Sequence, residues 1–233
     1  MNFQHHERIW RDFPHLSAGT LLVSGPASGP ASGGPAGDRV EKLIEQYLAV
    51  ARSRLAAGPE GQFPEIQAWR RAFGAMGLKP TQYRCASESL LRRLRRDDEL
   101  PRVHPLVDVC NAISVAYALP VAALDVSRIA GDLEVRYATG AETYLTFGGE
   151  REHPAPGEIT FADDAGNAHA RRWTNRQSGL SAVGAGTTTA LIVTEALHDT
   201  AAADVREATA ALAGALDAAS VAILTRTAPR FTI

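Results

Sequence analysis

The chain has 233 residues, 45% hydrophobic and 21% charged, with 24 basic against 26 acidic side chains. That is enough for one domain with a full core and too ordinary a composition for wholesale disorder. A formal net charge of −2 excludes a protein that coats nucleic acid by bulk charge, and two cysteines, Cys85 and Cys110, are too few for a disulfide framework or a cysteine-built zinc site.

The opening residues, Met1 to Asp12, carry His5, His6, Glu7, Arg8 and Arg11 with no apolar stretch behind them, and read as a surface tail rather than a signal peptide. His5 and His6 are accordingly given a surface role and no metal. A short strand is expected at Thr20 to Val23, then a flexible Gly/Pro/Ser/Ala loop over residues 24–37, SGPASGPASGGPAG, which has no apolar side chains to bury. Helices follow from about Asp38, where Val40, Leu43, Ile44, Tyr47 and Leu48 recur at helical spacing, and from Pro64 to Met76. The next runs from Ser87, as cap, to Arg96, with Arg92, Arg93, Arg95 and Arg96 outward. Asp97, Asp98 and Glu99 follow them and Glu88 lies one turn before, the pattern of a solvated, ion-paired face. A helix over Leu106 to Tyr117 is preceded by His104 as a local cap.

Beyond it the texture changes to short strands at Val121 to Leu124, Leu133 to Tyr137, Thr143 to Phe147, Glu158 to Phe161 and Ala168 to Trp173, punctuated by turn residues. The end reads strand, helix, strand: Ala190 to Ala196, Ala202 to Ala218 and Val221 to Thr225, a unit that can place two strands in one sheet through a crossover helix. The fold class is α+β (mixed α/β), with N-terminal helices packed on a largely antiparallel sheet. Residues 1–233 read as a single domain. No apolar run approaches the ~20 residues of a membrane helix, so a cytoplasmic chain with no membrane partner is expected. A P-loop, a nucleophile elbow and a His-Glu-x-x-His zinc site are all missing from the sequence, and neither cofactor nor metal is expected.

A set of phrases in fixed order is more specific. They are Tyr83-Arg84-Cys85-Ala86-Ser87-Glu88-Ser89-Leu90-Leu91-Arg92-Arg93, then Leu100-Pro101-Arg102-Val103-His104-Pro105-Leu106-Val107-Asp108-Val109-Cys110-Asn111-Ala112-Ile113-Ser114, Leu119-Pro120, Leu124-Asp125, Ile129-Ala130-Gly131-Asp132-Leu133-Glu134-Val135-Arg136, Gly157-Glu158-Ile159 and Arg171-Arg172-Trp173. Together, over roughly residues 63–197, they resemble the B3/B4 domain of the bacterial phenylalanyl-tRNA synthetase beta subunit, in a free-standing form without ligase modules. In the synthetase that domain is the editing site, which hydrolyses the ester of a tRNA charged with the wrong amino acid. The resemblance therefore implies a trans-acting aminoacyl-tRNA hydrolase whose partner is the 3′ aminoacyl end of tRNA. An activated ester needs little more than a positioned water and donors for the developing oxyanion.

Carried over residue by residue, the resemblance puts Asn111 and Glu195 in the catalytic pocket, the amide as donor and acceptor and the carboxylate as reader of a substrate hydroxyl or ammonium. Cys110 replaces a Thr of the family pattern, a family His before Asp125 is lost, and the family's glycine-rich wall falls on Arg171 to Ser178. Tyrosine specificity is therefore not transferred. Arg172 and Arg176 are candidates for phosphate contact, Trp173 for stacking on a base, with Asn175 and Cys110 as further substrate-binding positions. The competing readings are local. Asn111 can bond within the fold, Glu195 can be a solvated strand end, and Trp173 can sit in the core. A binding module for RNA or an amino-acid-like ligand, with no catalysis, is the alternative function.

Overall fold

The computed structural model describes residues 1–25 and 34–233. In chain order its elements are β1 (Asn2–His5), α1 (Glu7–Asp12), β2 (Ser17–Ser24), α2 (Gly34–Ala57), α3 (Pro64–Ala75), α4 (Ala86–Asp97), α5 (Pro105–Tyr117), β3 (Val121–Asp125), β4 (Leu133–Tyr137), β5 (Thr143–Leu145), β6 (Arg151–Glu152), β7 (Ile159–Asp163), β8 (Asn167–Arg171), β9 (Arg176–Gln177), β10 (Thr189–Ala196), α6 (Ala201–Leu216), β11 (Ser220–Leu224) and β12 (Arg230–Thr232). The α+β class holds, but with two sheets rather than one. Of the loop expected over residues 24–37, Ser24 closes β2, residues 26–33 lie outside the described residues, and Gly34 to Gly37 already belong to α2.

The first sheet runs β11-β2-β10-β3, each neighbour antiparallel. Because β10 and β11 both run against β2, they are parallel to each other, and α6 is the crossover between them. Gly19 on β2 is what lets α6 lie close: a Cβ there would stand 1.9 Å from Thr209 Oγ1. On the same face lies α5, buried on nearly every side, with Val109, Ile113, Val115 and Ala116 all inside, as expected for a helix apolar all round. His104 does cap it, accepting from the Leu106 N–H at 3.3 Å, and Asp108 accepts from Val103 at 2.9 Å. Ser87 does not cap α4. The cap position is Cys85, with no side-chain bond, and Ser87 is buried within the first turn.

The second sheet, β12-β1-β4-β7-β8-β5-β6 with β9 beside β8, is mixed. Here the N-terminal residues depart most from expectation. They are no tail: β1 lies between β12 and β4, with Phe3 paired to Leu133 and to Phe231. Both chain ends therefore supply strands to this sheet, and His5 enters the core. The strand expected through Trp173 stops at Arg171. Arg172 and Trp173 follow in left-handed conformation, φ 48° and 59°, a pairing of non-glycine residues that persists only when its surroundings hold it. Among the described residues no helix is long and apolar enough to cross a membrane.

Candidate functional site

The face of β10 that looks toward the second sheet carries Leu191, Val193 and Glu195 by simple alternation, while Ala196 faces α6. Glu195 is thus not a solvated strand end. It is 2% exposed, and a carboxylate so placed requires donors. Two converge on Oε1: His5 Nε2 at 2.6 Å and Trp173 Nε1 at 2.9 Å. No described residue donates to Oε2. His5 Nδ1 is buried and without a partner among the described residues, so the ring's one hydrogen bond is that of Nε2 with the Glu195 carboxylate.

Trp173 is positioned by its left-handed turn. Arg172 N–H donates to Glu158 Oε1 at 2.8 Å and Trp173 N–H to the Ile159 carbonyl at 2.7 Å, and the indole packs edge-on against Trp69 and Phe13 at 5.0 and 4.8 Å. The ring is fully buried. That corrects the expectation of a base-stacking platform: Trp173 is a wall and a donor to Glu195, not a surface for an incoming base.

Glu195, Trp173, Asn175, Arg176, Gln177 and His169 line a small inner cavity of about 60 Å³. Asn175 is fixed by its side-chain N–H₂ on the Arg84 carbonyl at 2.7 Å. Arg176 is exposed, with Nη1 3.4 Å from Glu152 Oε2, and also borders an open depression beside Phe147. Arg172 does not line the inner cavity. Its guanidinium lies over the Tyr83 ring at 4.6 Å.

Asn111 and Cys110 lie on a different surface, an outer cleft of about 230 Å³ shared with Val121, Phe147, Gln177 and Ala182. The Asn111 amide has no hydrogen-bond partner among the described residues, so the bond within the fold that competed with a ligand role is not made there. Burial, with Asp108 adding to it, pushes the Cys110 thiol up to about 12, which leaves it a wall group rather than a nucleophile. The structure therefore does not bring Asn111 and Glu195 into one pocket. Gln177 and Val121 line both cavities, and Gln177, tied by Nε2 to the Ala123 carbonyl at 2.7 Å, stands between them.

A second buried polar group borders the inner cavity. His169 meets Asp163 Oδ2 through Nε2 at 3.2 Å and Ser181 Oγ through Nδ1 at 2.9 Å, the order of a hydrolase triad. Ser181 is fully buried, however, and Asp163 also accepts from Ala130, Ala165 and Asn167, so the group ties the β7–β8 region together. Burial lowers the His169 pKa. Sequence reasoning missed His5, Gln177, His169 and Phe147. The alternation of Phe3 and His5 with Asn2 and Gln4 was the only trace of a strand at the N-terminus, and four residues are too short a pattern to read. Phe147, 74% exposed, falls beyond the end of β5.

Residues 68–217 match the family model described as B3/4 domain. The curated phenylalanine–tRNA ligase beta subunit of Shewanella oneidensis is 25% identical over 88 residues, 38% of this chain and 11% of that subunit, so the chain spans only a small part of the relative's length. A crystal structure of an N-terminal fragment of the phenylalanyl-tRNA synthetase beta subunit from Pyrococcus horikoshii is similar over 51% of this chain and 41% of the fragment, at 12% identity and a TM-score of 0.41.

Proposed function

The chain belongs to the B3/4 domain family, and on that premise we propose that it binds the 3′ aminoacyl end of a tRNA and hydrolyses a mischarged ester in trans. The observation that carries this reading is the Glu195 carboxylate: buried, held through one oxygen by His5 and Trp173, with the other oxygen unbonded on a cavity wall. An amino acid's ammonium or a side-chain hydroxyl is the kind of donor such an oxygen accepts. The size of the cavity restricts the amino acid. The cavity holds about 60 Å³, well under the ~150 Å³ that takes a benzene ring, which supports an ammonium or a small side chain as its occupant.

In this arrangement Gln177 marks the passage between the aminoacyl group inside and the terminal nucleoside in the outer cleft. Water attacks the ester carbonyl carbon, the bond from acyl carbon to ribose oxygen breaks, and the ribose hydroxyl leaves with a proton. The free Asn111 amide donates to the charge developing on the carbonyl oxygen. One observation favours the second reading, a binder without catalysis: His5 does not line the inner cavity, and His169, which does, has both ring nitrogens hydrogen-bonded within the fold, so no imidazole of the cavity has a free nitrogen for the water's proton.

The test is deacylation of a panel of mischarged tRNAs by the purified chain beside Asn111→Ala and Glu195→Gln. The expected result is release of one or a few small amino acids, reduced at least tenfold in each variant. tRNA binding with no release across the panel would establish the binder, and neither binding nor release would overturn both readings.

A further inference from the structure

Away from both cavities, Glu65 in the first turn of α3, His198 in the turn after β10 and Asp204 in the first turn of α6 come together. One donor atom from each lies within 4.8 Å of the other two. His198 Nε2 meets Asp204 Oδ2 at 2.5 Å, and the Thr200 hydroxyl donates to the same oxygen at 2.7 Å. Arg54 reaches Glu65 Oε1 at 2.7 Å but spends its other arm on the Ala116 carbonyl at 3.0 Å. Two carboxylates and an imidazole thus share one guanidinium.

Two atoms in this group are orphaned. Glu65 Oε2 and His198 Nδ1 are buried and have no hydrogen-bond partner among the described residues, on side chains that are 9% and 4% exposed as residues. A buried carboxylate oxygen and a buried imidazole nitrogen left bare are destabilising unless something occupies them. Each is an atom type that a cation takes as a ligand, and the two residues belong to one group of three whose donor atoms lie within 4.8 Å of one another.

We propose that Glu65, His198 and Asp204 form a binding site for a divalent transition-metal cation of the zinc class. An imidazole with two carboxylates is a donor set for zinc, cobalt or manganese, whereas calcium demands six to eight oxygens. His198 offers Nδ1, its Nε2 being held by Asp204 Oδ2, and Asp204 offers its other oxygen, Oδ1. Asp204, less buried than the other two, marks the side from which an ion enters. The site would pin the start of α3 to the β10–α6 turn, three residues beyond Glu195. Nothing in sequence spacing shows it, since Glu65 lies 133 positions before His198.

The experiment is titration of the EDTA-dialysed full chain with Co²⁺, followed by Zn²⁺. One equivalent of Co²⁺ should give visible d–d absorption that Zn²⁺ displaces, and Zn²⁺ should raise the unfolding temperature. Both effects should vanish in His198→Ala and in Glu65→Gln, the latter chosen to keep side-chain volume and the fold, checked by circular dichroism. Absence of bands in the wild-type chain would overturn the proposal. So would bands that persist in both variants, which would place the ion on exposed histidines such as His6 or His15. No RNA enters the assay, so the result is independent of the editing reading.

Discussion

Glu195 is the residue on which the site turns, and its environment separates charge from hydrogen bonding. Truncation to Ala leaves His5 Nε2 and Trp173 Nε1, two buried donors, with no acceptor. Glu195→Ala should therefore lower the unfolding free energy by about 3 kcal/mol. Glu195→Gln keeps an acceptor oxygen for both donors and should lose less than about 1 kcal/mol, while failing in the deacylation assay. Urea denaturation of the two variants checks this, and equal losses would mean that charge, not the acceptor, holds the cluster. The same cluster shows why residue-scale reading stopped short. Glu195 could be named from its place near a strand end. Its partners could not, because His5 is 190 positions away and Trp173 reaches it only through a left-handed turn that strand periodicity cannot foresee.

Among the elements, α4 is the one whose surface chemistry was read most nearly correctly. Its arginines do form ion pairs, Arg93 and Arg96 with Asp97 on the exposed face. Two of them have a different task. Arg92 and Arg95 hold the two oxygens of Glu60 at 3.1 and 2.8 Å, and Glu60 is 2% exposed. Glu88, read as part of the same solvated face, is fully buried and is clamped by Arg70 at 2.6 Å. Removing both Arg92 and Arg95 by Ala substitution should cost about 2 kcal/mol, because a buried carboxylate is left unpaired, whereas Arg93→Ala and Arg96→Ala should each stay within about 0.5 kcal/mol. Thermal denaturation gives the comparison. If α4 instead tracks a tRNA backbone, the Arg93 and Arg96 variants would flatten the salt dependence of RNA binding. The ion pairing with Asp97 leads us to expect no change.

At the scale of the molecule, the buried acids set a common pH dependence. Burial opposes ionisation of Glu142, Glu158 and Asp163, but it is outweighed by donors: the Thr139 and Gly140 N–H groups and Arg136 on Glu142, Arg171 on Glu158, Asn167 on Asp163. Glu142 is held down to about 2, and the other two lie below their ordinary values. For these groups the stabilisation is present above the unfolded carboxylate range and is lost as pH falls through the lower folded values. His169, lowered by burial, has the same sign: the unfolded chain takes up its proton first as pH falls below 6.5. Stability should thus decline monotonically from about neutral pH toward pH 2, with Glu142→Gln flattening the part below about 4.5. Urea midpoints across that range test it. A midpoint that rises on acidification would contradict the assignment.

By itself the sequence determined the helices α2 to α6, the strands β2 to β5, β7, β8, β10 and β11 to within a few residues, the crossover from β10 through α6 to β11, and the family, because apolar spacing, turn residues and ordered motifs are local properties of the chain. It placed Asn111 and Glu195 as polar positions in a pocket-bearing region on the strength of the resemblance alone. Only the tertiary structure decided that β1 and β12 bring both chain ends into one sheet, that Asn111 and Glu195 line separate cavities on either side of Gln177, and that His5 and Trp173 hold one oxygen of Glu195 and leave the other free. The reason is physical. Whether a carboxylate is solvated or held depends on donors that arrive from distant strands, and the size of a cavity depends on the packing of walls no single segment contains.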